Sequence, residues 1–210
     1  MSMKKPATAA PATIEALAPR RPTRAQAEDA VRTLLAWAGD DPARAGLIQT
    51  PQRVVDAYGE YFSGYRADAL AELAATFEDA TGYDDIVLLK DIRFESHCEH
   101  HIAPFRGIAH VAYVPNGRIV GLSKLARAVE IFARRLQTQE ALTTEIAQAL
   151  MDGLCARGAA VTMIAEHDCM SMRGVRQRGA KTITTRLLGC MQTEELWRSR
   201  FFAALQAPGT

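Results

Sequence analysis

DIVLLKDIRFESHC, residues 85–98, marks the point where the chain changes its period. Ile86 to Leu89 and Ile92 to Phe94 are runs of β-formers and predict one long strand or two. GIAHVAYVP, residues 107–115, reads as the partner strand. Beyond it, SKLARAVEIFARRL (123–136) puts Leu125, Val129, Phe132 and Leu136 on one helical face. QEALTTEIAQALMDGLCARG (139–158) repeats that pattern with Leu142, Ile146 and Leu150, and Gly158 reads as its stop. AAVTMIAEHDC (159–169) and KTITTRLLG (181–189) return to strand, and EELWRSRFFAAL closes with a short helix. On the N-terminal side the pattern is helical. Ala27, Val31, Leu34 and Leu35 recur at helical spacing over 24–38, Thr50 and Pro51 open a second helix, and ADALAELAATF (67–77) reads as a third. This order predicts an α+β fold: an antiparallel four-stranded sheet with helices on one face, preceded by N-terminal helices.

Three regions are expected: a disordered extension over 1–22, rich in Pro and Ala without a period; a helical region over 23–80; and the main α+β domain over 81–210. Hydrophobic residues make up 48% of the 210, enough for a sizeable core. The net charge of +1 offers no bulk attraction to nucleic acid or to an acidic membrane surface. No run of eighteen apolar residues predicts a membrane span, and the N-terminus lacks the apolar core of a signal peptide. Four irregularly spaced cysteines suit free or metal-bound thiols in a cytoplasmic protein better than a disulfide framework.

ESHCEHHIAPF, residues 95–105, gathers His97, Cys98, His100 and His101 into one short stretch. Cys98 and His101 have the C-x-x-H spacing of a chelating turn, and thiolate and imidazole are ligands that zinc prefers. A second half-site, His167 and Cys169, falls at the end of a predicted strand with i, i+2 spacing, which would place both on one face. A lone buried cysteine usually acts as a small hydrophobe. Two cysteines, each within three residues of a histidine at a strand end, favour a metal. Four ligands would make a closed structural site and three an open catalytic one, and spacing does not choose between them.

Other stretches have a plain reading and a functional one. In GLSKLAR (121–127) Ser123 and Lys124 begin a helix, and Arg127 follows on the same side. A cation there opposes the helix dipole unless an anion sits on the free N–H groups. RGVRQRGAK (173–181) carries Arg173, Arg176, Arg178 and Lys181 between glycines, and Arg173 begins four residues after Cys169. Gln139 and Glu140 start a helix, where a Glu compensates the dipole; the same carboxylate can also accept the two donors of a guanine edge.

Taken together, ESHCEHHIAPF with GLSKLAR, QTQE and AEHDCMSMRGV resembles the GTP cyclohydrolase I family over roughly residues 24–190. The resemblance implies the tunnelling fold and an enzyme that converts GTP and water to 7,8-dihydroneopterin triphosphate and formate, the first step of tetrahydrofolate or pterin biosynthesis. It implies Zn2+ held by Cys98, His101 and Cys169, which is the open, three-ligand case. It implies catalytic roles for His100 and His167, guanine recognition by Gln139 and Glu140, and triphosphate binding by Ser123, Lys124, Arg127 and Arg173. Arg53 is similar to an arginine contributed by a neighbouring subunit, in a homodecamer with sites at subunit interfaces. Asp168 departs from the family pattern, which usually has an apolar residue at that position.

Overall fold

The computed structural model describes residues 21–74, 76–78 and 82–207. The expected extension therefore lies, up to residue 20, outside the described residues. The chain divides into two compact units, residues 1–56 and 57–210.

In the first unit, α1 (Arg24–Trp37) begins at a capping box in which Thr23 and Gln26 satisfy each other's backbone N–H groups. None of its residues is buried. Helix α2 (Thr50–Tyr61) starts at the Thr-Pro step and runs into the second unit.

The second unit continues with a 3₁₀ turn (Ser63–Arg66) and α3 (Ala69–Ala74). The third helix is shorter than its sequence suggests. Asp68 accepts from the N–H groups of Leu70 and Ala71 and starts it, and the chain then turns extended as β1 (Thr76–Glu78). This strand pairs antiparallel with β4 (Arg118–Val120).

The main sheet contains β2 (Val87–Cys98), β3 (Pro104–Val114), β6 (Gly158–His167) and β7 (Lys181–Gly189), joined in that order by antiparallel ladders. A fifth strand, β5 (Leu136–Gln137), pairs in parallel with His97 and Cys98 at the outer side of β2. The stretch that opened the sequence is a single strand. Its register slips between Leu89 and Ile92, where Asp91 adopts φ 60°. The bulge absorbs the Lys-Asp pair that interrupts the apolar run.

Helix α4 (Leu122–Ala133) and α5 (Gln139–Leu154) cover one face. Leu125, Val129, Leu142, Ile146 and Leu150 pack there with Val111, Tyr113, Val161 and Met163 of the strands. Phe132 lies at the margin of this core, and Leu136 has left the helix for β5. Helix α5 stops earlier than Gly158: Cys155 takes the left-handed conformation at its C-cap. Gly158 serves the sheet instead, since a Cβ there would come within 2.6 Å of Cys190 Sγ. The C-terminal α7 (Cys190–Thr193) and α8 (Glu195–Gln206) add a smaller cluster, with Trp197, Phe201 and Met191 against Ala112, Val114 and Ala160.

Candidate metal centre and its surroundings

The register of the sheet brings the two half-sites together. His97 pairs with Pro104 across the β2–β3 ladder, and Phe105 pairs with His167 across the β3–β6 ladder. The C-terminal ends of β2 and β6 therefore lie on either side of the start of β3. Cys98 ends β2, and the turn after it is closed by Ile102 N–H on Cys98 O and Cys98 N–H on Ala103 O, both at 2.9 Å. Ile102 takes φ 52° to make this turn.

Strand β6 ends at His167. Cys169 lies not on the strand but on a helical turn, α6 (Asp168–Ser171). The i, i+2 strand geometry expected for His167 and Cys169 therefore does not hold. Asp168, at the start of the turn, pairs with Arg106 of β3.

One ligand atom each from Cys98, His101 and Cys169 fall within 4.8 Å of one another, the one such grouping of metal-binding side chains among the described residues. Cys98 Sγ lies 3.8 Å from His101 Nδ1. Ligands of a tetrahedral zinc, with Zn–S of about 2.3 Å and Zn–N of about 2.0 Å, stand roughly 3.5 Å apart, so the trio fits that ion with small adjustment. Burial, and then the neighbouring Cys98, push the Cys169 thiol above its ordinary range. Such a pair of thiols favours a cation that takes both as thiolates.

Arg173 reaches the trio, with Nη1 3.0 Å from His101 Nε2. A guanidinium only donates, so Nε2 accepts, and Nδ1 is the nitrogen left facing Cys98. His100 lies in the same turn with its side chain 66% exposed and its Nε2 4.0 Å from Glu99 Oε1.

His167 occupies a different environment. Its ring stacks on Phe105 at 4.6 Å between centroids and 3° between planes. Its Nε2 lies 2.8 Å from Oε1 of Gln139, the first residue of α5. Burial lowers the His167 pKa, and the nearby Glu140 partly offsets this. Glu140 itself is exposed on the first turn of α5, and Thr138 caps that helix.

Ser123, Lys124 and Arg127 lie at the start of α4, where Gly121 occupies the N-cap without a side-chain cap. A residue that sequence reasoning missed sits among them: Glu72 of α3. Lys124 Nζ donates to Glu72 Oε2 at 2.7 Å, and Arg127 Nη1 lies 3.6 Å away. The Lys124 hydrogen bond holds the Glu72 carboxyl below its ordinary range. Glu72 is 52 residues from Lys124 and looks like a dipole-compensating helix residue, so no local signal marks it. Among the described residues, no hydrogen bond or ion pair joins this cluster to Cys98, His101 and Cys169. Arg53 lies on α2 in the first unit and donates to Gln49 Oε1 at 2.7 Å.

An α+β sheet carrying a Cys-His-Cys group that could hold a metal ion defines a class: a candidate metalloenzyme. The model of the family described as GTP cyclohydrolase I matches residues 27–206. The chain is 58% identical over 182 residues to GTP cyclohydrolase 1 of Hyphomonas neptunium, covering 87% of this chain and 88% of that one. It is 54% identical over 197 residues to GTP cyclohydrolase 1 of Allorhizobium ampelinum, covering 93% and 98%. For GTP cyclohydrolase 1 of Sinorhizobium fredii the identity is 55% over 186 residues, covering 89% and 91%. The chain belongs to the GTP cyclohydrolase I family.

Proposed function

We propose that the protein is a zinc-dependent GTP cyclohydrolase that converts GTP and water to 7,8-dihydroneopterin triphosphate and formate, the first step of tetrahydrofolate and pterin synthesis. Family membership over most of the chain supports the activity. The observation that carries the chemistry is the convergence of Cys98, His101 and Cys169, because three ligands leave a fourth position open. Zinc held there supplies a Lewis acid that activates water at neutral pH.

The protein's own groups then divide the remaining work. Hydrolysis at C8 of the guanine ring requires a proton at N7. His100, exposed beside the ligand His101, is the group that gives it. His167 serves the later proton transfers of ring opening, formate release and ribose rearrangement. Gln139 and Glu140 form the guanine end of the site; the Glu140 carboxylate accepts from the guanine edge. Ser123, Lys124, Arg127 and Arg173 hold the triphosphate, and Arg53 is supplied by a neighbouring subunit. The catalytic domain spans 81–210 and the helical region 23–80, in a cytoplasmic homodecamer with sites between subunits. No described helix is long and apolar enough to cross a membrane.

The test is direct. Zinc-loaded protein incubated with GTP is expected to release formate and to yield a fluorescent pterin after oxidation. A zinc-free Cys98→Ser variant is expected to yield neither. GTP that binds and is recovered intact from the zinc-loaded protein overturns the assignment.

A further inference from the structure

Gln139 is 1% exposed, an unusual condition for a residue proposed to sit at a substrate's edge. Its side-chain hydrogen-bonding capacity is spent within the protein. Nε2 lies 3.1 Å from Met163 O, 3.1 Å from Thr182 O and 3.1 Å from Thr184 Oγ1. Two of these three atoms are main-chain carbonyls, which only accept, so the end of the amide facing them must be the NH₂ group. The hydroxyls agree. Thr143 Oγ1 donates to Gln139 O at 2.7 Å and lies 2.6 Å from Thr184 Oγ1, so Thr184 gives its proton to Thr143. Thr184 Oγ1 is thereby left as an acceptor for Gln139 Nε2.

This network fixes the orientation of the amide. Gln139 Oε1 points at His167 Nε2, 2.8 Å away. An amide oxygen cannot donate, so the proton in that contact belongs to the histidine, on Nε2. In a neutral imidazole the other nitrogen, Nδ1, is then bare. Phe105, stacked flat on the ring, fixes its plane, and Gln139 fixes which nitrogen carries the proton.

We infer that Gln139 is the positioning residue of His167: it locks the imidazole in the Nε2–H tautomer and so keeps Nδ1 as the ring nitrogen with the free lone pair. The inference rests on the proposed cyclohydrolase reading for its catalytic meaning, while the tautomer itself can be observed without turnover. It makes Gln139's contribution at the guanine end indirect and leaves guanine contact to its neighbour Glu140.

The experiment uses zinc-loaded full-length protein carrying histidine labelled with ¹⁵N at Nε2 alone. Solid-state nitrogen spectra separate protonated from bare ring nitrogens, and a His167→Asn difference spectrum assigns the signal. The expected result is a protonated Nε2 at His167 in the wild type. Gln139→Leu is expected to convert that signal, in part or whole, to the bare form, and to lower kcat about tenfold or more with KM for GTP within twofold. A bare Nε2 in the wild type overturns the inference and needs no variant to fold. An unchanged His167 signal in Gln139→Leu, or a rise in KM at constant kcat, also overturns it, the latter by making Gln139 a substrate contact. Absence of GTP turnover in the wild type strikes at the proposed activity and leaves the tautomer result standing.

Discussion

His101 can serve two partners, and its two nitrogens make them compete. Arg173 donates to Nε2, while Nδ1 faces Cys98 Sγ. A metal taken up through Nδ1, the nitrogen that faces Cys98, would need the ring proton on Nε2, where it would meet a guanidinium that has no acceptor to offer. Removing Arg173 relieves that conflict and also removes a positive charge next to the ion. Arg173→Ala is therefore expected to bind zinc more tightly, by about fivefold for one hydrogen bond of about 1 kcal/mol, measured by competition with a chromophoric chelator. Equal or weaker zinc binding would mean that the contact does not oppose the metal. Glu140 offers a second test. Its place on the first turn of α5 needs no ligand to explain it, but its exposure beside His167 leaves it free to accept from guanine. Glu140→Gln replaces one acceptor oxygen with a donor, and an unpaired polar contact costs roughly 1–3 kcal/mol. GTP titration should show binding weakened about tenfold or more, with the thermal melt unchanged. Equal affinity would reduce Glu140 to dipole compensation.

Helices α3 and α4 meet through charge as well as through apolar contact. Lys124 on the first turn of α4 opposes the helix dipole, and from the sequence only an anion makes sense of it. The anion present is Glu72, which also lies near Arg127. If the triphosphate binds this helix start, it must displace the carboxylate or share the cations with it. Glu72→Gln is then expected to tighten inhibition by inorganic tripolyphosphate a few-fold, and to lose this gain at high salt, because exposed ion pairs are weak and screened. Unchanged inhibition in Glu72→Gln alongside weakened inhibition in Lys124→Ala would keep the phosphate site and remove Glu72 from it. How legible such elements are depends on how local their causes are. The apolar faces of α4 and α5 and the full span of β7 follow from periodicity, and the structure has them. The two half-sites could be read from two short spacings, but not which three of their four residues group together; the ladder register brings the half-sites side by side. The end of α3, the helical turn under Cys169 and the Glu72 partnership are set by tertiary contacts. Asp68 starts α3, β4 draws Thr76–Glu78 into a strand, and Asp168 finds Arg106 on β3. Asp68 is a local cap, two residues before Leu70, but β4 and Arg106 lie far in sequence from the segments they hold.

Among the described residues, the sheet of the second unit leaves both its edges largely open. Among those residues, β2 meets β5 at His97 and Cys98, and β7 pairs with β6 alone. Long unpaired edges invite pairing with another chain, and this supports the proposed assembly into a homo-oligomer. Sedimentation of the 22.9 kDa chain at micromolar concentration is expected to show a single large species, and a monomer would exclude sites shared between subunits. The centre of the same sheet carries an acid-sensitive group. His110 on β3 is 5% exposed, and its Nδ1 accepts the N–H of Asp91 at 3.2 Å, holding the β2 bulge. Burial lowers its pKa below the ordinary 6.5, Asp91 acts against this, and Lys90 adds to the lowering. A histidine depressed in the folded state is less protonated there than in the unfolded chain. Its contribution to stability is complete above pH 6.5 and is lost as pH falls from there through the depressed folded value. Protonation also removes the lone pair that receives Asp91 N–H, so the bulge loses its partner in the same step. His110→Asn keeps an acceptor oxygen near that N–H and cannot take up a proton. The urea midpoint of the wild type is expected to fall between pH 7.5 and 5.5, and that of His110→Asn to fall less over the same range. Comparing the two proteins under identical metal loading cancels the acid sensitivity of the zinc ligands, which both share. Parallel midpoint curves would place the acid response elsewhere and leave His110 as a packed, silent member of the sheet.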